Sequence, residues 1–290
     1  MGRVAIAGSD RGQLFHELHR TCPDDVELVA LTGANGQRLD IRDADAVRRA
    51  VEAIAPEALI NAAAWTGVDK AESEPEAAHA VNARGAAHLA TAAAGVGAHV
   101  VQISTDFVFG GSDGRPFPTD APTAPLGVYG QSKLEGERRV RDVAPAASII
   151  RTAWVYSSHG QNFVHSMLRL MRERDELGVV ADQIGAPTWA RSLAEACWTA
   201  ARQRVSGTWH WSGAGVASWY DFALAIRDES MRLGLLQRAT PVRPLATREY
   251  PTPAVRPAYS VLELGPSSAA LGLQPDHWRA DLVRMLGELA

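Results

Sequence analysis

Tyr129 and Lys133 stand four positions apart in the stretch VYGQSK (128–133), which reads as the start of a helix. Because four residues make about one helical turn, their side chains are expected to project from the same face. An ammonium beside a phenol favours the phenolate, which lowers the tyrosine pKa and yields an acid suited to work near neutral pH. The alternative is an exposed pair without a chemical role, and the rest of the chain has to decide between the two.

Two hydroxyl side chains precede this pair in the chain. Ser104 and Thr105 lie at the carboxyl end of the apolar run in QISTDFVFGG. In an open parallel sheet the ligand crevice lies beyond the carboxyl ends of the strands, so a hydroxyl there faces the crevice. A hydroxyl at one strand end followed by Tyr-x-x-x-Lys at the start of the next helix is more specific than either part alone, because one fold brings them to one point.

A glycine-containing turn follows the first apolar run, in AGSDRGQLF (7–15). Gly8 permits a tight turn, and Gly12 lets the backbone approach a pyrophosphate at the start of the next helix. Phe15 stands where a third glycine usually eases the packing of helix against strand. On its own the spacing is also typical of an ordinary turn.

The second predicted strand ends at Thr32, where a strictly NAD-dependent site has a carboxylate for the ribose hydroxyls. With Arg11 and Arg38 nearby, this end tolerates a 2'-phosphate, although both arginines are equally typical of a solvated surface. Asp40 is predicted at the end of a short strand, where it would bind the adenine amino group or simply mark a helix start.

Polar residues also follow the third predicted strand. Asn61 ends that strand. Asn82 is an isolated amide in an alanine-rich helix, where it would bind a water or a backbone group near the site, or connect the helix to a strand. Asp69, Lys70 and Glu72 are either substrate ligands or, more commonly, a charged helix start.

These residues are positioned by alternating strands and helices. Buried strands are predicted at 3–8, 26–32, 57–64, 98–104 and 147–155, and helices at 12–21, 43–55, 75–95 and 129–143. Continuous apolar strands that alternate with helices predict an α/β fold with a doubly wound parallel sheet of the Rossmann type. We therefore predict a dinucleotide-binding region at 1–155. A smaller and more irregular substrate region is predicted at 156–290, with some segments returning to the first region.

Composition excludes several classes of protein. The chain has 290 residues, 46% of them hydrophobic, and a net charge of -4, which argues against a nucleic-acid-binding surface. Neither a membrane span nor a signal peptide is expected. The two cysteines, Cys22 and Cys197, stand alone and indicate neither a disulfide framework nor a metal cluster. A cytoplasmic protein is the expectation.

Several longer motifs carry a resemblance to a known family. The stretches INAAAWTGVDKAESEPEAAHAVN, STDFVF, VYGQSKLEGE, RTAWVY, LRLMRERDELGVVADQIGAPT and YPTPAVRP together resemble the dTDP-4-dehydrorhamnose reductase family of the extended short-chain dehydrogenase/reductases. The resemblance covers nearly the whole chain. It implies a Rossmann domain, a C-terminal region for a sugar nucleotide, and reduction of a 4-keto sugar by NADPH, with NADH as a possible substitute.

The resemblance also implies roles for individual residues. Tyr129 is the proton donor, Lys133 supports it and binds the nicotinamide ribose, and Thr105 bonds the sugar near C4. The residues implied at the cofactor are Gly8, Arg11, Gly12, Gln13, Leu14, Asp40, Ile41, Ala64, Trp65, Thr66, Tyr129 and Lys133, and those at the substrate are Thr105, Asp106, Trp154 and Arg256. No residue is assigned to a metal. A homodimer with Mg²⁺ at its interface is a feature of some family members that no residue here specifies.

Two departures from the family pattern and two other functions stay open. The family turn is usually one residue shorter with a glycine in place of Phe15, and the family commonly has tyrosine where Phe107 stands. The second change leaves the sugar open, including another dTDP-4-keto-6-deoxyhexose. The other functions are a sugar-nucleotide epimerase or dehydratase that retains NAD, and a non-catalytic subunit like the regulatory subunit of methionine adenosyltransferase.

Overall fold

The computed structural model describes residues 2–33, 36–111 and 114–290. In these ranges the strands are β1 (Arg3–Ala7), β2 (Glu27–Ala30), β3 (Ala58–Asn61), β4 (His99–Thr105), β5 (Ser148–Thr152), β6 (Val155–Tyr156), β7 (Leu177–Val180), β8 (Ile184–Gly185), β9 (Thr188–Trp189), β10 (Gly207–His210), β11 (Ala217–Ser218) and β12 (Val242–Leu245). The helices are α1 (Gln13–Arg20), α2 (Ala44–Ile54), α3 (Val68–Ser73), α4 (Pro75–His79), α5 (Ala86–Gly95), α6 (Val128–Val143), α7 (Phe163–Glu173), α8 (Ala190–Gln203), α9 (Trp219–Arg232), α10 (Gly265–Leu271) and α11 (Trp278–Gly287).

The central sheet has the strand order β10-β5-β4-β3-β1-β2, and its neighbouring strands are parallel. One face packs on α1 and α8, and the other on α2 and α5. Because both faces are covered, residues such as Val4, Ala5 and Ile6 are buried in succession and the strands are rich in apolar residues. The predicted α/β fold with a doubly wound parallel sheet is confirmed.

The second half of the chain is more regular than the sequence suggested. Helices α7, α9 and α11 enclose a separate hydrophobic core, and short strand pairs join β7 to β12, β8 to β11 and β6 to β9. The expectation of an irregular region was wrong, because aromatic and proline-rich stretches obscure the helical spacing. Strand β10 and helix α8 pack in the central layers, while the division at residue 155 stays a prediction.

Three predicted elements need correction. The helix at 75–95 is divided into α4, a π-helical stretch Ala80–Gly85 and α5. The strand at 147–155 stops at Thr152, because Trp154 has a positive φ of 47° that ends the extended conformation. Asp40 does not end a strand but lies in a loop after an isolated bridge between Thr32 and Arg38.

No helix in the described ranges is both long enough and apolar enough to span a membrane.

Candidate active site

The helix that carries Tyr129 and Lys133 receives its N-terminal cap from another element. Helix α6 begins at Val128 after Gly127, which has no side chain with which to cap the free amides of the first turn. Glu72 of α3 supplies the acceptor, because its Oε1 lies 2.8 Å from the Val128 nitrogen. A side chain at position 127 would displace this carboxylate, since an added Cβ would lie 2.6 Å from Glu72 Oε1.

Tyr129 occupies the first turn of α6, at the edge of a cleft. Its ring meets that of Phe107 edge-to-face, with 5.6 Å between the centroids, and its phenol interacts with the Thr105 hydroxyl. Burial raises the pKa of Tyr129 to about 12, and the Thr105 hydroxyl only partly opposes this. The expected lowering of this pKa by Lys133 is therefore wrong, because desolvation of the phenolate outweighs the favourable interactions.

Lys133 lies one turn further along α6 and is only 4% exposed. Its Nζ donates to the backbone oxygen of Ile103 at 2.6 Å, so its position is fixed from the end of β4. Burial lowers the pKa of Lys133 to about 8, although the negative charge of Glu137 acts in the opposite direction. An ammonium has three donors, and those not used by Ile103 remain for a ligand in the cleft.

The structure distinguishes the two hydroxyls at the end of β4. Ser104 Oγ points away from Tyr129 and donates to Glu137 Oε1 at 2.6 Å. Thr105 Oγ1 lies on the side of Tyr129 and donates to Asp106 Oδ1 at 3.0 Å. Both residues line the same cleft, but of the two only the Thr105 hydroxyl interacts with Tyr129.

A buried ion pair connects helix α6 to strand β5 next to the site. Glu137 and Arg151 form a bidentate contact, with both N–O distances at 2.8 Å, between α6 and β5. Burial alone would raise the pKa of Glu137, but Arg151 overcomes this effect and holds the pKa below its ordinary value. The pair ties the helix of Tyr129 to the strand that leads to Trp154.

Asp106 is a buried carboxyl beside the two hydroxyl-bearing residues of the site. It is 1% exposed, and its Oδ2 has no hydrogen-bond partner among the described residues. Burial raises the pKa of Asp106 to about 6, against the effect of hydrogen bonds from the Ser260 and Thr105 side chains. Because Asp106 lines the cleft, its carboxyl group can accept a hydrogen bond from a hydroxyl group of a ligand.

Asn82 fixes the loop that follows β3. Its Oδ1 accepts from the Trp65 nitrogen at 2.8 Å, and its Nδ2 donates to the Trp65 oxygen at 3.1 Å and to Ser132 Oγ at 2.9 Å. Ser132 in turn donates to the Tyr129 carbonyl at 2.8 Å. Asn82 therefore holds a backbone group, which is one of the roles left open by the sequence. Through Ser132 it also connects the loop at Trp65 to helix α6.

The turn between β1 and α1 has the features of an anion site. Gly12 precedes α1 without a capping side chain, so the first amides of the helix, including those of Gln13 and Leu14, are left for a ligand. An added Cβ at Gly12 would lie 3.0 Å from the Ser9 oxygen, so the glycine keeps this surface open. The turn therefore fits a pyrophosphate, despite Phe15 in place of the third glycine.

Two neighbouring clefts at the carboxyl ends of the strands contain the predicted site residues. The larger, of about 580 Å³, is called the catalytic cleft; its lining includes Arg11, Gly12, Gln13, Leu14, Ala64, Thr66, Thr105, Asp106, Tyr129, Lys133, Trp154 and Arg256. The smaller, of about 380 Å³, is called the adenine cleft; its lining includes Gly8, Asp40, Ile41, Ala64 and Trp65. Both include Ala63 and Ala64, whose small side chains suit a flat ligand. The structure brings the predicted residues together, and their binding roles stay predictions.

The adenine cleft contains a cation that the sequence did not single out. Arg42 binds Asp40 through a contact of 2.6 Å, and it holds the Asp40 pKa at about 2. Arg38 lies in the same lining. The predicted adenine ligand Asp40 is thus an ion-paired carboxylate, and two guanidinium groups accompany it. The spacing Asp40-x-Arg42 is the feature of the sequence from which this ion pair could have been predicted.

Arg256 is held by a carboxylate in the ligand-free chain. Asp69 of α3 contacts its guanidinium at 2.8 and 3.0 Å and also accepts from the Ala254 nitrogen. Arg256 lines the catalytic cleft and a third cleft of about 530 Å³, called the outer cleft. Trp219, which sequence reasoning missed, also lines both. No local motif marks it, because it comes into place through the packing of α9.

The Glu72 cap has a measurable consequence. Glu72→Ala is expected to lower kcat about fivefold to tenfold, because the turn that carries Tyr129 loses its cap and its fixed geometry. Glu72→Gln keeps an acceptor oxygen and should remain within about twofold of the parent. Glu74→Ala, which removes an exposed partner of Lys70 on the same segment, is the control. Equal kcat values for Glu72→Ala and Glu74→Ala in steady-state assays would contradict this role.

Comparisons with known proteins give a consistent result. A family model described as RmlD substrate binding domain matches residues 2–290. A dTDP-4-dehydrorhamnose reductase from Aggregatibacter actinomycetemcomitans is 40% identical over an alignment of 290 positions that covers 97% of this chain and 97% of the relative. The crystal structure of such a reductase from Clostridium acetobutylicum is similar at a TM-score of 0.91 and 37% identity, covering 100% and 99% of the two chains. One from Bacillus anthracis in complex with NADP has a TM-score of 0.89 at 34% identity, covering 99% of each.

Proposed function

The chain belongs to the RmlD family of dTDP-4-dehydrorhamnose reductases, and from this premise we propose that it reduces the C4 ketone of dTDP-4-dehydro-β-L-rhamnose to dTDP-β-L-rhamnose with NADPH. The observation that carries the proposal is the meeting of Thr105, Tyr129 and Lys133 in one cleft that continues into the adenine cleft. It is an oxidoreductase with a nicotinamide cofactor, as its relatives are.

The cofactor's binding residues follow from the two clefts. The open amides at the start of α1 would hold the pyrophosphate, and the adenine cleft would hold the adenosine end. When bound, the reduced nicotinamide supplies a hydride to the ketone carbon. Lys133 would bind the nicotinamide ribose through the donors that Ile103 does not use, and so fix the position of that end of the cofactor.

Tyr129 holds the proton that the ketone oxygen requires. With a pKa raised to about 12, its phenol stays protonated throughout the neutral range, so every molecule carries the donor. The developing alkoxide is a stronger base than a phenolate, which favours transfer from Tyr129 Oη to the ketone oxygen. Thr105 orients the same oxygen, while Lys133 supplies positive charge near the phenolate that forms.

The sugar nucleotide would extend from the catalytic cleft toward the outer cleft. Trp154 and Asp106 would contact the sugar, and Arg256, at the boundary of both clefts, would meet the diphosphate. Because Asp69 holds Arg256 in the free chain, the diphosphate would have to share or replace that carboxylate. The apolar floor of the outer cleft, with Phe163, Met167 and Leu170, suits a pyrimidine base.

The stoichiometry of NADPH consumption tests the reaction class. A reductase consumes one NADPH for each dTDP-4-keto sugar, whereas an epimerase or dehydratase that retains NAD consumes none in net turnover. A regulatory subunit consumes none and gives no product. Absorbance at the NADPH band, followed with a known amount of ketone, separates these functions. Product formation without NADPH loss would overturn the proposal.

A preference for NADPH is the finer proposal for the cofactor. Thr32→Asp is expected to shift the ratio of kcat/KM for NADPH over NADH by about tenfold toward NADH, because the new charge repels a 2'-phosphate. Thr32→Asn, which has the same shape without the charge, is the matched control and should leave the ratio nearly unchanged. A parent enzyme that strongly prefers NADH would refute this proposal, and Asp40 would then be the residue to examine.

The family resemblance supports three further proposals, namely a cytoplasmic location, a homodimer, and the division of the chain near residue 155. Light scattering tests the dimer directly. Among the described residues no group of three or more His, Cys, Asp or Glu side chains is arranged to hold a metal, so Mg²⁺ is not assigned to any position.

A further inference from the structure

Trp154 is held in a conformation that its backbone does not favour. Its φ of 47° lies in the left-handed region, which is uncommon for a residue without a short polar side chain. Such outliers persist only where the surrounding structure enforces them, and they concentrate at functional sites. The contacts that enforce this conformation are therefore informative about the site.

The first of these contacts is a stacked indole. Trp219 lies parallel to Trp154, with 3.6 Å between ring centroids and 9° between the planes. Phe163 packs against Trp219 with its centroid 4.7 Å away. Trp219 is also fixed through its backbone, because α9 starts with a capping box in which Ser218 and Asp221 bond one another.

The second contact is a glycine. A Cβ built on Gly185 would lie 2.7 to 2.9 Å from atoms of the Trp154 indole, so no other residue leaves room for the ring there. Gly185 belongs to β8, which pairs with β11 through Ala217 opposite Gly185 and Ser218 opposite Ile184. One short strand pair thus fixes the glycine and the start of the helix that carries Trp219.

We infer that Trp219 and Gly185 are positioning residues that hold the Trp154 indole as a wall of the sugar-nucleotide site, between the catalytic cleft and the outer cleft. Trp219 lines both clefts, and Trp154 lines the catalytic cleft. The inference rests on the proposed function, because it assigns to Trp154 a contact with the sugar nucleotide. The new element of the inference is that Trp219 and Gly185, which need not touch the reacting atoms, hold Trp154 in the position where it makes this contact.

The expected effect is on binding of the sugar nucleotide and not on chemistry. Trp219→Leu should weaken binding of dTDP-β-L-rhamnose about tenfold, since the loss of an aromatic pair frees Trp154 to leave its position. The value of kcat should stay within about threefold, as expected when an interaction common to ground and transition states is removed. NADPH binding should not change. Trp219→Phe retains a stacking ring and should recover most of the affinity.

A double-mutant cycle tests whether Trp219 acts through Trp154. The dissociation constants of dTDP-β-L-rhamnose are measured by calorimetry for Trp154→Leu, Trp219→Leu and the double variant, with Trp209→Leu as a control from β10. If Trp219 only positions Trp154, the double variant binds no worse than Trp154→Leu. Additive losses, or no loss in Trp154→Leu alone, would overturn the inference.

Gly185→Ala keeps the proposal testable if Trp219→Leu does not fold. The extra methyl group displaces the indole from the opposite side and should weaken sugar-nucleotide binding in the parent but not in the Trp154→Leu background. An equal loss in both backgrounds would refute positioning through Trp154. Because calorimetry requires no turnover, failure of the proposed reaction appears separately, as absent NADPH oxidation by the parent protein.

Discussion

Replacing Tyr129 with phenylalanine is expected to lower kcat about 1,000-fold, within the range that a positioned general acid contributes. In the proposed mechanism the phenol, which interacts with the Thr105 hydroxyl at the cleft, is the proton donor, and its removal leaves only water to protonate the ketone oxygen. The ring itself remains and still packs on Phe107. The dissociation constant of NADPH should therefore stay within about twofold, because in the proposed mode of binding the other residues of the two clefts hold most of the cofactor.

The control for this variant is Tyr220→Phe, which removes the same hydroxyl from a residue of α9. Tyr220 is not among the described residues that line the catalytic cleft. It should keep the parent kcat. If Tyr129→Phe retained more than about a tenth of the parent turnover with an unchanged product, Tyr129 would not be the proton donor.

Replacing Lys133 with methionine is expected to damage turnover and cofactor binding together. In the proposed mechanism its ammonium serves both the phenolate that forms at Tyr129 and the ribose of the cofactor, so one substitution removes two interactions. Hydrogen bonds to a charged group are worth enough to predict an increase in the NADPH dissociation constant of about tenfold, with a loss of kcat of about 100-fold. Fluorescence titration with NADPH and steady-state rates measure the two effects. A loss of kcat with unchanged NADPH affinity would contradict the double role.

The pH dependence of NADPH binding gives an independent test of the same lysine. Burial lowers the pKa of Lys133 to about 8, so in the free protein the ammonium is present below this pH and is lost as the pH rises through it. Affinity for NADPH should accordingly fall above about pH 8 in the parent. The Lys133→Met variant should lack this decline. A decline of equal size in the variant would assign it to another group.

Much of the site could be predicted because its signals are local. The strands with Asn61 and Thr105 at their ends are rich in apolar residues and almost wholly buried, since both faces of the sheet are covered. The four-residue spacing of Tyr129 and Lys133 indicates that they share one face of a helix. The position of Gly12 shortly after β1 indicates the turn before α1. Each of these inferences needs only a short stretch of the chain.

The remainder depends on contacts between distant segments. The pKa of Tyr129 rises because of burial, which no spacing of residues reports. Arg256 is paired with Asp69, a residue 187 positions away. Trp219 and Gly185 meet Trp154 only after β8 and β11 have paired. Sequence patterns identify which residues carry chemistry, whereas the groups that hold them in place are determined by tertiary packing.

The configuration of the product tests the central claim most directly. The protein is incubated with NADPH and dTDP-4-dehydro-β-L-rhamnose, and the sugar is identified by NMR from its proton couplings at C4. The account predicts dTDP-β-L-rhamnose, formed in a one-to-one ratio with oxidised cofactor. Formation of the C4 epimer would contradict the proposed substrate and point to Phe107 as the residue that changes the sugar. No product from a folded protein that binds NADPH would contradict the proposed reduction of this sugar.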